Sequence, residues 1–228
     1  MMSINRFKSL GCFRLSNLKA FHTSSVLGTS SPDKTKKSHL YTRTGDKGSS
    51  SLYNGERRPK TDGVFETLGH QDELCAVLGI AREYCEASGN GLSDDLAEIQ
   101  SRLFDLGAAV ATPMQTSSSE KKSFTEFPSQ FTIELENRID SLDAALPPLT
   151  NFRIPSGGMS STHLNLARAV CRRAERSVVP LVAAEQCDIE CGKYLNRLSD
   201  YLFAAARTAA HKEGKEEKLW VKSKLLSK

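Results

Sequence analysis

The stretch Asp188-Ile-Glu-Cys-Gly-Lys-Tyr-Leu-Asn-Arg-Leu-Ser-Asp-Tyr-Leu-Phe-Ala-Ala-Ala-Arg-Thr-Ala-Ala-His211 decides the fold class. Leu195, Leu198, Leu202 and Ala205 recur at steps of three and four, which puts them on one face of an α-helix running from about Asp188 to His211. The same period appears upstream. A helix opens at Ser160 or Ser161, behind Pro155-Ser156-Gly157-Gly158, and runs to about Pro180 with Val170, Ala174 and Val178 on its apolar side. Val64, Leu68, Leu74, Cys75, Leu78 and Ala81 predict another from Asp62 to about Tyr84. Leu96, Ile99, Leu103, Leu106 and Val110 predict a third, with Ser93 or Asp94 as its cap and Thr112-Pro113 as its stop. Thr132 to Ala145, closed by Pro147-Pro148, completes the set. The polar residues 115–129 read as a mobile loop, and residues 41–61 as an ordered loop with one short strand. The expectation is an all-α chain, an antiparallel-type bundle of five helices.

Length and charge set the frame around these helices. The 228 residues suit one domain with an appendage, and 39% hydrophobic with 25% charged residues is ordinary globular usage. No apolar run approaches the roughly 18 residues that span a bilayer, which excludes a transmembrane helix. Residues 1–37 hold seven Lys and Arg against one acid, Asp33, so the formal charge of +4 and the pI of 8.7 belong to the tail. The remainder carries a net charge of about −2, which argues against nucleic-acid binding. The tail is Ser-rich, lacks an acid before Asp33, and places Phe7, Leu10, Leu18 and Phe21 at helical steps among Arg6, Lys8, Arg14 and Lys19. This is the composition of a mitochondrial transit peptide, giving a matrix location and a mature domain over residues 38–222, followed by a basic tail at 223–228. The six cysteines include no C-x2-C pair, so they read as free thiols, mostly buried, with no metal site.

Three constellations can carry chemistry. Thr42-Arg43-Thr44-Gly45-Asp46-Lys47-Gly48-Ser49-Ser50 crowds glycines, hydroxyls and cations into a loop ahead of any helix, and Arg57, Arg58 and Lys60 extend its charge. Glycines let backbone N–H groups converge on phosphate oxygens, although GxxxxGK[ST] is absent and a plain surface turn remains the alternative. On the fourth helix Arg168, Arg172 and Glu175 lie at i, i+4 and i+7, with Arg173 and Arg176 beside them. Four Arg in nine residues fit multidentate phosphate recognition with Glu175 orienting a guanidinium; a salt-bridged surface helix is the other reading. Asn196 and Asp200, one turn apart on the last helix, project together; a bundle can set them opposite the Arg face, and an ordinary polar stripe is the other reading.

The stretches Tyr41-Thr-Arg-Thr-Gly-Asp-Lys-Gly48, Gly55-Glu-Arg-Arg-Pro-Lys60, Asp72-Glu-Leu74, Phe152-Arg-Ile-Pro-Ser-Gly-Gly158, Arg168-Ala-Val-Cys-Arg-Arg-Ala-Glu-Arg176 and Tyr194 to Phe203 resemble the PduO-type ATP:cob(I)alamin adenosyltransferases of animal mitochondria. The resemblance covers residues 40 to 222 and implies a ferritin-like five-helix bundle, a homotrimer, and active sites between subunits. It implies transfer of the 5′-deoxyadenosyl group of ATP to cob(I)alamin, giving adenosylcobalamin and triphosphate. It also implies that Thr42, Arg43, Thr44, Gly45, Ser50, Lys60, Arg172, Arg173, Ala174, Glu175, Arg176 and Asn196 contact ATP. Which of Ser49, Ser50 and Ser51 is the ligand stays open, because relatives differ there. Asp72 and Arg168 form a salt bridge across the subunit boundary, Phe152 lies beneath the corrin ring, and Asp200 borders that site, all by the same resemblance.

The implied chemistry needs no catalytic base, only charge stabilisation and alignment, with Arg172, Arg173 and Glu175 as its centre and Phe152 assisting reduction of cobalt. Magnesium accompanies ATP, held mostly by phosphates and water, with Glu175 or Asp46 nearby. A cob(II)alamin reductase and a mutase that takes up adenosylcobalamin are the expected partners. The rival is a noncatalytic ATP- and cobalamin-binding carrier that delivers cofactor to a mutase.

Overall fold

The computed structural model describes residues 41–222, so the expected transit peptide at 1–37, Cys12 and the tail at 223–228 lie outside the described residues. Helix α1 (Gly63–Ser88) starts where expected: Asp62 is the N-cap, extended at φ −64°, and its Oδ1 accepts from Val64 N at 2.9 Å. The helix outlasts its apolar stripe and stops only at Gly89, whose left-handed φ of 64° lets its N–H reach the Cys85 and Glu86 carbonyls. Helix α2 (Ser93–Val110) corrects the cap assignment. Its N-cap is Leu92, neither Ser93 nor Asp94, and the side chain at work is Asn90, whose Oδ1 accepts from Leu92 N at 3.1 Å.

Residues 115–129 are not a bare loop. Ser118 caps a short helix, α3 (Ser119–Phe124), by accepting from Lys121 N. It buries none of its own residues, which is why no apolar period announced it. Helices α4 (Gln130–Ala144), α5 (Gly158–Ala183) and α6 (Ile189–Lys212) complete the bundle. The five long helices are those expected, and α3 is the addition. Helix α5 begins two residues early at Gly158 because Gly157 turns the chain at φ 90°; a Cβ there would stand 2.6 Å from Ala210 Cβ. It also continues past Pro180 to Ala183. Asp188 caps α6 as the sequence predicts, accepting from Glu190 N at 2.9 Å.

The core is organised around α5. Helix α6 packs along one side of it and α1 along another; α2 covers α1 and α4 covers α6. Buried Leu164, Ala167, Cys171, Ala174 and Val178 meet Leu195, Leu198, Leu202 and Ala205, and the Cys171 thiol donates to the Leu195 carbonyl at 3.2 Å. Polar pins lock the outer helix. Arg138 of α4 reaches Glu98 at 2.6 Å and Asp95 at 3.4 Å on α2, and the buried Tyr201 donates to Asp95 at 3.2 Å. The five cysteines among the described residues are free and buried, and no helix there is long and apolar enough to cross a membrane.

Two strands, β1 (Ser49–Ser51) and β2 (Arg57–Pro59), form a hairpin in which Ser50 faces Arg58; the sequence predicted only one. A clamp fastens this hairpin to the bundle. Arg58 donates from Nε and Nη2 to both Glu56 oxygens, at 2.8 and 3.1 Å, and from Nη1 to Gln186 Oε1 at 3.1 Å. Thr116 adds a bond to Glu56 at 2.8 Å, and Tyr53 N reaches the Ala111 carbonyl at 3.0 Å. The Arg58 guanidinium, then the Thr116 hydroxyl, hold the Glu56 carboxyl down at about 2. A carboxylate depressed in the folded state stabilises above its unfolded pKa, and that contribution disappears as pH falls from about 4.3 towards the folded value. Carboxyl titration with amide exchange at Ser50 and Lys60 should therefore show the hairpin unchanged from pH 7 to 5 and loosening below about 4. Glu56→Gln should abolish that acid-dependent step; a Glu56 titration near the ordinary carboxylate value would contradict the clamp.

Candidate active site

The loop at residues 42–60 is shaped by Arg57. Its Nη2 donates to Thr44 O at 2.9 Å, Ser49 O at 3.1 Å and Ser49 Oγ at 2.7 Å, while Nη1 reaches Ser51 Oγ at 3.2 Å. Strand alternation puts Ser49 and Ser51 on Arg57's side and Ser50 on the other. Ser50 is thus the one of the three serines whose hydroxyl has no bonding partner among the described residues. Thr42 and Thr44 share a hydroxyl bond at 2.9 Å, and Gly48 N returns to the Gly45 carbonyl at 3.1 Å. Arg43 is exposed and turns the chain at φ 59°.

The three cations that follow have different roles. Arg57 and Arg58 are committed to the protein, the first as a loop scaffold and the second as the hairpin clamp. Lys60 has no carboxylate partner among the described residues, and its Nζ lies 3.3 Å from where a Cβ on Gly45 would stand. Glycine at 45 leaves room for that ammonium. Lys60 is therefore the available cation of the stretch, on the loop's turn.

On α5 the Arg residues divide in the same way. Arg173 pairs with Glu73 of α1, which sequence reasoning did not single out. Arg168 stacks with its guanidinium carbon 5.3 Å from the Phe203 ring centroid. Arg172 is exposed and has no acidic partner among the described residues; Arg176, also exposed, donates to the Arg172 carbonyl at 3.0 Å. Glu175 accepts from Asn196 Nδ2 at 2.7 Å, so its partner is the α6 amide and not a guanidinium as expected. Ala174 is fully buried in the α5–α6 seam. Asp200 pairs with Arg197 at 3.1 Å, and Arg197 reaches Glu136 at 2.9 Å.

The remaining groups lie elsewhere. Asp72 is exposed on α1 and makes no ion pair with Arg168 within the chain. No hydrogen bond or ion pair between described residues joins the 42–60 loop to the Arg172–Arg176 face, and the two stand as separate cationic stretches. Phe152 is 81% exposed, with its ring edge-to-face against Trp220 at 6.3 Å, at a cleft of 390 Å³ that Leu149, Thr150 and Asn151 also line. The pairing of Phe152 O with Trp220 N at 2.9 Å and of Ile154 N with Lys218 O at 3.0 Å holds that loop. Trp220 carried no sequence signal, since it stands beyond every helical period. A separate cleft of 220 Å³ between Thr112, Lys122, Phe127 and Asp188 has one cation, and Lys122 is committed to the Met114 carbonyl at 2.9 Å. Nothing there suits a triphosphate.

A sequence model of the cobalamin adenosyltransferase family matches residues 40–209. Human corrinoid adenosyltransferase MMAB is 50% identical over 184 residues, 81% of this chain and 74% of that protein. The corrinoid adenosyltransferase of Bacillus subtilis is 40% identical over 77% of this chain and 88% of its own length. A phenylalanine-to-alanine variant of the PduO-type ATP:corrinoid adenosyltransferase of Lactobacillus reuteri, solved with cobalamin and ATP, is 36% identical. It superposes with a TM-score of 0.74, covering 79% of this chain and 98% of that one. An arginine-to-lysine variant of the same enzyme with ATP gives 35% identity and a TM-score of 0.72, over 80% of this chain and all of that one. With the helix order, the cationic loop and the Arg face already in place, these likenesses make the chain a member of the cobalamin adenosyltransferase family, of the PduO type.

Proposed function

We propose that this protein transfers the 5′-deoxyadenosyl group of ATP to cob(I)alamin, giving adenosylcobalamin and triphosphate. The observation that carries the reading is the division of cations: Lys60, Arg172 and Arg176 lack carboxylate partners among the described residues, while Arg57, Arg58 and Arg173 are committed to building the site. Unpartnered cations beside a neutral Asn196 and a single carboxylate suit a polyanion. In the reaction the cobalt lone pair forms a bond to C5′, the C5′–O bond breaks in line, and its electron pair leaves on triphosphate. No proton moves, so the chain's task is to hold the ends in line and to meet the growing negative charge. Arg172 and Arg176 meet that charge, Lys60 and Ser50 hold the phosphate chain, and Asn196 fixes the Glu175 carboxylate.

The donors beside the phosphates also suit magnesium, a hard cation that takes oxygen ligands and keeps several waters. Glu175, with one oxygen bound to Asn196 and the other open, and Asp46 in the loop are the residues that would hold it through water. When bound, the ion neutralises triphosphate charge.

The two halves of the site are proposed to meet between subunits of a homotrimer, the loop of one copy facing α5 of the next. A head-to-tail contact of this kind closes into a ring. Asp72 and Arg168, apart within the chain, would pair across that boundary beside Asp200 and the cobalamin. Phe152 is exposed at the mouth of its cleft, which supports the proposal that it lies beneath the corrin, where its ring would exclude water and the cofactor's own base and so ease reduction to Co(I). The electron comes from a separate reductase, and the product passes to a mutase. Residues 1–37 are proposed to address the chain to the mitochondrial matrix.

Anaerobic mixing with ATP and prereduced cob(I)alamin should yield one triphosphate per Co–C bond; ADP release, or binding without Co–C formation, would favour the carrier reading. Arg172→Ala should lower kcat/KM for ATP about a hundred- to a thousandfold, as removal of one preorganised donor does. An unchanged value in the folded variant would count decisively against the site. Residues 1–37 fused to a fluorescent reporter should give a mitochondrial pattern, and persistent cytosolic fluorescence would sink the targeting proposal.

A further inference from the structure

The segment of α6 from Ala204 to Ala210 is buried throughout, and its residues are Ala and Thr except for Arg207. Arg207 is 4% exposed, and its side chain ends in a planar guanidinium with five N–H donors. A guanidinium in such a place costs desolvation free energy that an apolar residue of similar volume would not, so packing alone does not account for it. Its bonds are few. Nη2 donates to the Pro147 carbonyl at 2.6 Å, Nη1 stands 3.5 Å from Asp143 Oδ1, and Nε has no partner. The Asp143 side chain is 71% exposed, so solvent screens that ion pair. The short bond to Pro147 is therefore the principal contact.

Pro147 stands five residues before Phe152, at the stem of the segment that links α4 to α5. Downstream, Phe152 and Ile154 are held by backbone bonds to Trp220 and Lys218. Upstream, over residues 147–151, the Arg207 bond is the one hydrogen bond among the described residues that ties the segment to the helical body. Pro147 and Pro148 lack backbone N–H groups, so this stretch offers carbonyls with few local donors. A fork reaching up from the buried side of α6 supplies one.

We propose that Arg207 is a positioning residue for the corrin-facing loop: by fixing the Pro147 carbonyl from within the core, it sets where the Phe152 ring stands. The proposal rests on the reading of Phe152 as the group beneath the corrin. Arg207 touches neither substrate. It acts through the loop stem, so its loss should alter cobalt coordination and leave nucleotide binding intact.

The test uses the full trimeric enzyme with ATP and cob(II)alamin, read by electron paramagnetic resonance for the four-coordinate Co(II) fraction. Adenosylation rates are taken in parallel from Co(II) under mild reductant and from prereduced Co(I). Arg207→Met keeps volume and removes the bond; it should lower the four-coordinate fraction and the Co(II)-dependent rate about tenfold, the order lost when an outer-shell partner is removed. The Co(I)-dependent rate and the Kd for ATP should hold. Arg207→Lys, which keeps a donor within reach of Pro147, should restore most of the loss. Should the Met variant not fold, Arg207→Gln, whose amide is too short to reach, makes the same comparison. Phe152→Ala run beside them separates the two ideas. If it keeps the four-coordinate signal, the reading of Phe152 fails; if it loses the signal while folded Arg207→Met keeps it, the Arg207 proposal is overturned. An equal fall in both rates with unchanged coordination would also overturn it, leaving Arg207 a structural residue only.

Discussion

Everything functional in this chain depends on how closely α5 and α6 approach. Ala167, Cys171 and Ala174 are small enough to bring the Cys171 thiol within 3.2 Å of the Leu195 carbonyl, and the leucines opposite close the seam. Each buried Leu contributes about 1.5–3 kcal/mol relative to exposure, so the seam fixes the rotation of α5 about its axis. Once Cys171 and Ala174 point inward, the helical period leaves Arg172 and Arg176 outward and sets Glu175 against Asn196. Burial pushes the Cys171 thiol well up from its ordinary value, which keeps it neutral in the seam. The orientation of the cationic face is thus a consequence of core packing, not of anything at the surface.

A polyanion site needs cations that the protein leaves unneutralised, and such cations repel one another unless something rigid holds them. Here each cationic stretch holds both committed and available charges. Arg57 shapes the loop and Arg58 clamps the hairpin, while Lys60 stays open; Arg173 bridges to Glu73 on α1, while Arg172 and Arg176 stay open. The committed members fix the backbone that carries the open ones, so little reorganisation is left for the moment of binding.

The sequence reveals the parts of this arrangement that have a period or a cap. Five helices follow from apolar steps of three and four, and Asp62 and Asp188 announce two starts because a carboxylate before an apolar run caps the free N–H groups. The same logic misplaced the start of α2, where Asn90 works two residues upstream of Leu92. Helix α3 escaped notice because it buries nothing. The Arg cluster and its neighbourhood with Asn196 were legible from spacing, but the partner of each side chain was not: periodicity places Glu175 on a face without saying that Asn196 outcompetes a guanidinium there. Arg207 is the extreme case. Nothing in its alanine stretch singles it out, and only the fold shows it buried beneath Pro147.

The central claim is that each site is assembled from the loop of one subunit and the α5 face of another. On this account Lys60→Ala and Arg172→Ala should each disable every site in the proposed homotrimer, but in different halves. Unfolding the two variants together, refolding them at equal ratio and measuring adenosylcobalamin formation tests the claim directly. Random assembly then gives each interface one chance in four of pairing an intact loop with an intact α5 face, so recovery of about a quarter of wild-type activity is expected. Mixed trimers no more active than the separate variants would contradict a shared site and place both halves on one chain.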